Sequence, residues 1–95
     1  MAFFRAAFTA LKRVMAGEII KQIDTSIMGE RCTVSLRLKR ANDSSETYVV
    51  LAFIASGNYQ YVALDQSEFE QFAGAVQEIG HDLRESNRSQ GLMPQ

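Results

Sequence analysis

Cysteine, histidine and proline each occur once in these 95 residues, and tryptophan does not occur at all. A lone cysteine, Cys32, excludes an internal disulfide, and its place in a strand-like run marks it as a buried, inert thiol. A lone histidine, His81, leaves little for acid–base chemistry. Cys32 points toward a core and His81 lies off the apolar stripe of a helix, so the two do not make a thiol–imidazole pair. His81 is read instead as a cation favouring a helix C-terminus. No second cysteine or histidine completes a zinc site. Glycines 17, 29, 57, 74, 80 and 91 are scattered, with no loop that would cradle phosphate. These absences predict a protein that is not an enzyme and carries no cofactor or metal. Apolar runs stop well short of the roughly 18 residues of a membrane-spanning helix. No transmembrane segment is expected, and an intracellular, soluble chain is.

What is present suits one small domain. Typical domains run to roughly 100–150 residues, and a chain this short buries about 60–65% of its unfolded surface. The net charge of −1 conceals an uneven distribution. Residues 1–17 carry Arg5, Lys12 and Arg13 and no acid. Residues 18–64 balance five bases against five acids, and residues 65–95 set six acids against Arg84 and Arg88. A basic front and an acidic back rule out uniform attraction to polyanions, so any nucleic-acid contact must use a local patch.

Periodicity predicts an α+β fold in the order α-β-β-β-β-α. Phe4, Phe8, Leu11 and Met15 recur at helical spacing across residues 1–17, with Gly17 as a stop. In EIIKQIDTSIM, Ile19, Ile23 and Ile27 alternate with polar residues, predicting a first strand that a turn at Met28-Gly29-Glu30 closes. In residues 31–40, Cys32, Val34, Leu36 and Leu38 point one way and Arg31, Thr33, Ser35, Arg37 and Lys39 the other. After the polar loop ANDSSE, TYVVLAFIA is apolar on both faces, as a central strand is. Ser56-Gly57-Asn58 is a hairpin turn, and Tyr59 to Leu64 forms the last strand. Asp65 and Glu68 make a capping-box pair for a helix over 65–84, with Phe69, Phe72, Ala73, Val76, Ile79 and Leu83 on one stripe. The expected organisation is an amphipathic N-terminal helix (1–17), a ββββα domain (18–85) whose meander sheet is packed by the C-terminal helix, and a flexible tail (86–95).

The residues offer one constellation that binds rather than reacts. Arg31, Thr33, Ser35, Arg37 and Lys39 line one face of the second strand, with Arg40 at its end. Single-stranded nucleic acids bind open sheets through cations along the backbone and aromatic platforms under the bases. Tyr59 and Tyr61 supply the platform if their side shares the basic face. The competing reading is that the outward face of a half-buried strand is simply polar.

The stretch RCTVSLRLKR, followed by TYVVLAFIASGNYQYVALDQSEFEQFAGAVQEI, resembles the repeat unit of the PUR and Whirly-type single-stranded nucleic-acid-binding proteins. The likeness covers roughly residues 18–83 and includes a Phe-rich motif, SEFEQF, where the last strand runs into the helix. It implies that two ββββα units pack together with helices crossing the sheets, and that single-stranded DNA or RNA runs over basic and aromatic sheet surface. Arg31, Arg37 and Lys39 would then contact the nucleic-acid backbone, and Tyr59 or Tyr61 would stack on bases.

Two further expectations concern partners. Covering both apolar faces of the third strand needs the N-terminal helix or a second copy, and a two-fold homodimer is expected. The acid-free start resembles a mitochondrial import signal or a segment lying on an anionic membrane, or it packs on the sheet. In the rival functional reading, Phe3, Phe4, Phe8 and Leu11 dock a small structural or adaptor subunit on protein partners.

Overall fold

The computed structural model describes residues 12–89. Phe3, Phe4, Phe8 and Leu11 lie outside the described residues, so of the expected N-terminal helix the structure speaks only for a single turn at 12–15. Four strands follow, β1 (Glu18–Ile27), β2 (Cys32–Arg40), β3 (Thr47–Ala55) and β4 (Asn58–Leu64), and then a helix over Gln66–Ser89. The strands form one antiparallel meander in the order β1-β2-β3-β4. Its connections are short: a turn at 28–31, the loop at 41–46 closed by the Ala41 N–H donating to the Glu46 carbonyl at 2.9 Å, and the pair Ser56-Gly57. Tight connections leave consecutive strands no option but antiparallel pairing.

Cross-strand partners share a face, so the register sorts the side chains. One face carries the rows Asp24–Ser35–Ala52–Tyr61, Gln22–Arg37–Val50–Ala63 and Ser26–Thr33–Ile54–Tyr59, with Lys39 opposite Tyr48. The other carries Ile23–Leu36–Leu51–Val62, Thr25–Val34–Phe53–Gln60 and Lys21–Leu38–Val49–Leu64. These are termed the mixed face and the aliphatic face.

In β1 the simple alternation is corrected. A bulge between Ile19 and Lys21 pairs Ile19 with Lys39 but Lys21 with Leu38. The extra residue in the strand transfers Ile19 to the mixed face and leaves Ile23 and Ile27 on the aliphatic one.

Burial runs against expectation. Most of the interior belongs to the mixed face: Ser35, Lys39, Tyr48, Val50 and Ala52 are buried, and only Leu51 and Cys32 join them from the aliphatic face. Ile23, Ile27, Leu38, Phe53 and Val62 remain exposed.

The C-terminal helix begins as the sequence predicts. The Glu68 N–H donates to Asp65 Oδ1 at 2.8 Å and the Asp65 N–H donates to Glu68 Oε1 at 3.0 Å, a reciprocal capping box. Three expectations about it need correction. It runs to Ser89, so residues 86–89 are helix rather than tail, and its last turn holds Arg88 in place of His81. It touches β3 and β4, yet none of its 24 residues is buried, so it does not pack the sheet as expected. Phe72, Val76, Ile79 and Leu83 are open along the stripe. A helix of this length spans about 36 Å. The radius of gyration is 16.5 Å, where a compact chain of this size has about 12–13 Å.

Candidate nucleic-acid interface

Residues 12–17 lie against the mixed face and decide which of its cations are available. The Lys39 ammonium donates to the carbonyls of Arg13 (3.3 Å) and Val14 (3.0 Å), and the single proton of the Tyr48 hydroxyl is shared between those of Arg13 (2.8 Å) and Ala16 (3.2 Å). These are carbonyls at the end of a helical turn, which lack partners within the helix. Gly17 follows with φ +86, a left-handed conformation that glycine tolerates. A Cβ there would sit 2.5 Å from the Tyr48 hydroxyl and 3.0 Å from the Arg40 carbonyl, so the close approach also requires glycine. Outside, Arg13 pairs with Glu46 at 3.0 Å and lies over the Tyr48 ring at 5.3 Å, while Lys12 stands 3.9 Å from Asp43.

This arrangement takes Lys39 out of the predicted site. It is 4% exposed and bound to backbone, so it offers no charge to a phosphate. Burial, helped by the neighbouring Arg37 charge, pushes its pKa below 10.5. Burial likewise raises the Tyr48 phenol above 10.0. Arg40 also leaves the site, because it pairs with Glu18 and Thr47 on the aliphatic side of the sheet. Arg31 is exposed in the turn just before β2, outside the ladder.

Arg37, Tyr59 and Tyr61 are brought together. The register puts both tyrosines on the face of Arg37, as the platform requires. The Arg37 guanidinium lies over the Tyr61 ring, 5.8 Å from its centre, and its Nε–H donates to Ser35 Oγ at 3.2 Å. Tyr59 is 63% and Tyr61 40% exposed, so both rings have surface to offer. The same face presents Thr33 and Ser26 opposite each other. It also presents Asp24, whose carboxyl is held below its ordinary pKa by the Ser35 hydroxyl, then by the Gln22 amide and the Arg37 charge. Alternation alone could not reveal that Asp24 shares this face with Arg37, because that follows from the β1–β2 register, which sets Asp24 opposite Ser35 and Gln22 opposite Arg37.

The accessible strip is therefore narrower than the sequence implies. It holds one cation stacked on an aromatic ring, a second aromatic ring and two hydroxyls, edged by Arg31 at one end and Asp24 at the side. Among the described residues no group of histidine, cysteine and carboxylate side chains is arranged to hold a metal ion, and no helix is long and apolar enough to cross a membrane. Comparison with protein-family models, with curated proteins and with solved structures found no match to this chain.

Proposed function

We propose that the protein binds single-stranded nucleic acid with the Arg37–Tyr61–Tyr59 strip of its mixed face. The observation that carries this reading is the register, which puts both tyrosines on the face of Arg37 with its guanidinium stacked on one of them. Bases stack on exposed tyrosine rings irrespective of sequence, and an arginine held over one ring is placed to meet the phosphate between successive bases. Arg31 supplies a second charge at the end of the strip. The resemblance to PUR and Whirly-type proteins points to the same class of ligand, DNA or RNA.

With two cations engaged, affinity for a single strand should fall with salt at a logarithmic slope of about −1.4. Fluorescence anisotropy of labelled oligonucleotides across a salt series measures this. Tyr61→Ala should cost about 1–3 kcal/mol of binding, and Arg37→Ala should weaken binding and flatten the slope. Absence of binding at low salt removes the proposal.

A second reading is favoured by a different observation, the exposed aliphatic face and helix stripe. Monomeric proteins rarely leave apolar surface of that extent in water. A structural or adaptor subunit that docks on proteins accounts for it, and so does the two-fold homodimer proposed here as the form in which the protein acts.

A further inference from the structure

Lys39 and Tyr48 continue the accessible strip along the mixed face. Lys39 follows Arg37 by two residues on β2, and Tyr48 stands opposite it on β3. The two cations are therefore about 6.8 Å apart along the strand, close to one nucleotide of an extended single strand. A guanidinium over a tyrosine ring also occurs twice here, Arg37 on Tyr61 at 5.8 Å and Arg13 on Tyr48 at 5.3 Å. The second pair is closed by the chain's own earlier segment. We propose that residues 12–17 are a removable cover on the nucleic-acid interface. A single strand long enough to run past Arg37 lifts them, taking the Lys39 ammonium as a phosphate contact and the Tyr48 ring as a stacking platform. This proposal rests on the nucleic-acid reading above and extends its site.

The way the cover is held suits release. Its anchors are backbone carbonyls on Lys39 and Tyr48, while its large apolar side chain, Met15, is 78% exposed. Phosphate oxygens accept from the same donors, and a charged acceptor makes a stronger bond than a neutral carbonyl. An ammonium has three N–H donors, and two of them meet carbonyls, so among the described residues the third has no protein acceptor. On the outer side a cavity of about 230 Å³ separates the segment from the loop at 41–46. Across that gap run the ion pairs Arg13–Glu46 and Lys12–Asp43, both partly open to water and weakened by salt. Lifting the segment breaks polar bonds that a phosphate replaces in kind, and frees two more cations beside the strand.

The test compares oligothymidylates of about four and about twelve nucleotides by fluorescence anisotropy across a salt series. The shorter strand stays on the open half with a slope of about −1.4, and the longer one gains Lys39 and reaches about −2.1. Gly17→Ala opens the cover from outside the site, because the added methyl meets the Tyr48 hydroxyl and φ is +86. Its affinity for the longer strand should rise about tenfold, since the competent state no longer has to be selected from a minor population, and for the shorter strand it should stay the same. Pulse acetylation read by mass spectrometry reports the opening. Lys39 should be protected in the wild-type protein and labelled in the variant, with the exposed Lys12 and Lys21 as references. Adding Lys39→Met to Gly17→Ala should return the slope to about −1.4, and a slope that stays steep overturns the part given to Lys39. A labelled Lys39 with no gain for the longer strand overturns the cover and leaves the Arg37–Tyr61–Tyr59 strip standing. If neither strand binds, the nucleic-acid reading falls and the cover with it. Should Gly17→Ala unfold or keep Lys39 protected, NOEs from the Tyr48 ring in wild-type protein saturated with the longer strand decide. Contacts to thymine in place of Arg13 support the cover, and contacts to Arg13 that persist overturn it.

Discussion

A lysine ammonium inside a small protein is tolerated only where donors meet acceptors, and Lys39 meets two carbonyls at the end of the helical turn. The charge sits at the negative end of that turn, which adds to its accommodation. Lys39→Ala deletes both bonds and the packed stem, leaving the Val14 carbonyl without that partner while the Arg13 carbonyl keeps the Tyr48 hydroxyl. It should cost about 1–3 kcal/mol of stability, measurable by urea denaturation. Arg37→Ala, which removes a partly exposed side chain from the strip, should leave the urea midpoint nearly unchanged. The side of β2 on which each residue points was legible from alternation alone. That one cation is interior and its neighbour accessible was not, because the cover comes from residues more than 20 positions earlier in the chain. Sequence periodicity reports direction, and exposure depends on what lies across from it.

At the level of elements, the parts with local causes were readable. The start of the C-terminal helix follows from Asp65 and Glu68, three residues apart, whose side chains bond each other's backbone. Asp65→Ala should therefore cost about 1 kcal/mol and fray the first turn, seen as faster amide exchange at Glu68 and Phe69. The helix end was misread because ESNRS is polar throughout, and polarity looks the same on a solvated helix as in a tail. Arg88 pairs with Glu85 at 3.2 Å one turn earlier, which supports that last stretch. The bulge left no sign in the sequence, since two adjacent isoleucines, Ile19 and Ile20, fit either register. Its consequence for the candidate site is indirect. It blunts β1, an edge strand that would otherwise offer a regular row of backbone groups to other chains.

For the whole molecule, fold class and strand order were legible and the distribution of burial was not. The pattern of Cys32, Val34, Leu36 and Leu38 names an apolar face correctly, but a single sequence says nothing of which apolar face a chain covers by itself. On the mixed side residues 12–17 lie over Lys39 and Tyr48, which grip four carbonyl contacts, and Arg13 closes on Glu46. Deleting residues 1–17 removes that cover. The thermal midpoint should fall by roughly 4–8 °C for each kcal/mol lost, as followed by differential scanning calorimetry. An unchanged midpoint would mean that the segment rests on the sheet without holding it.

The meander also sets an order of events in time. Each strand pairs with its neighbour in sequence across a connection of a few residues, so closing each pair costs little chain entropy and the sheet can zip from any hairpin. The grip of Lys39 and Tyr48 on residues 13–16 spans 25 to 35 positions and is a late, long-range event by comparison. During synthesis residues 13–16 emerge first and gain their full set of contacts only once β2 with Lys39 and β3 with Tyr48 have followed.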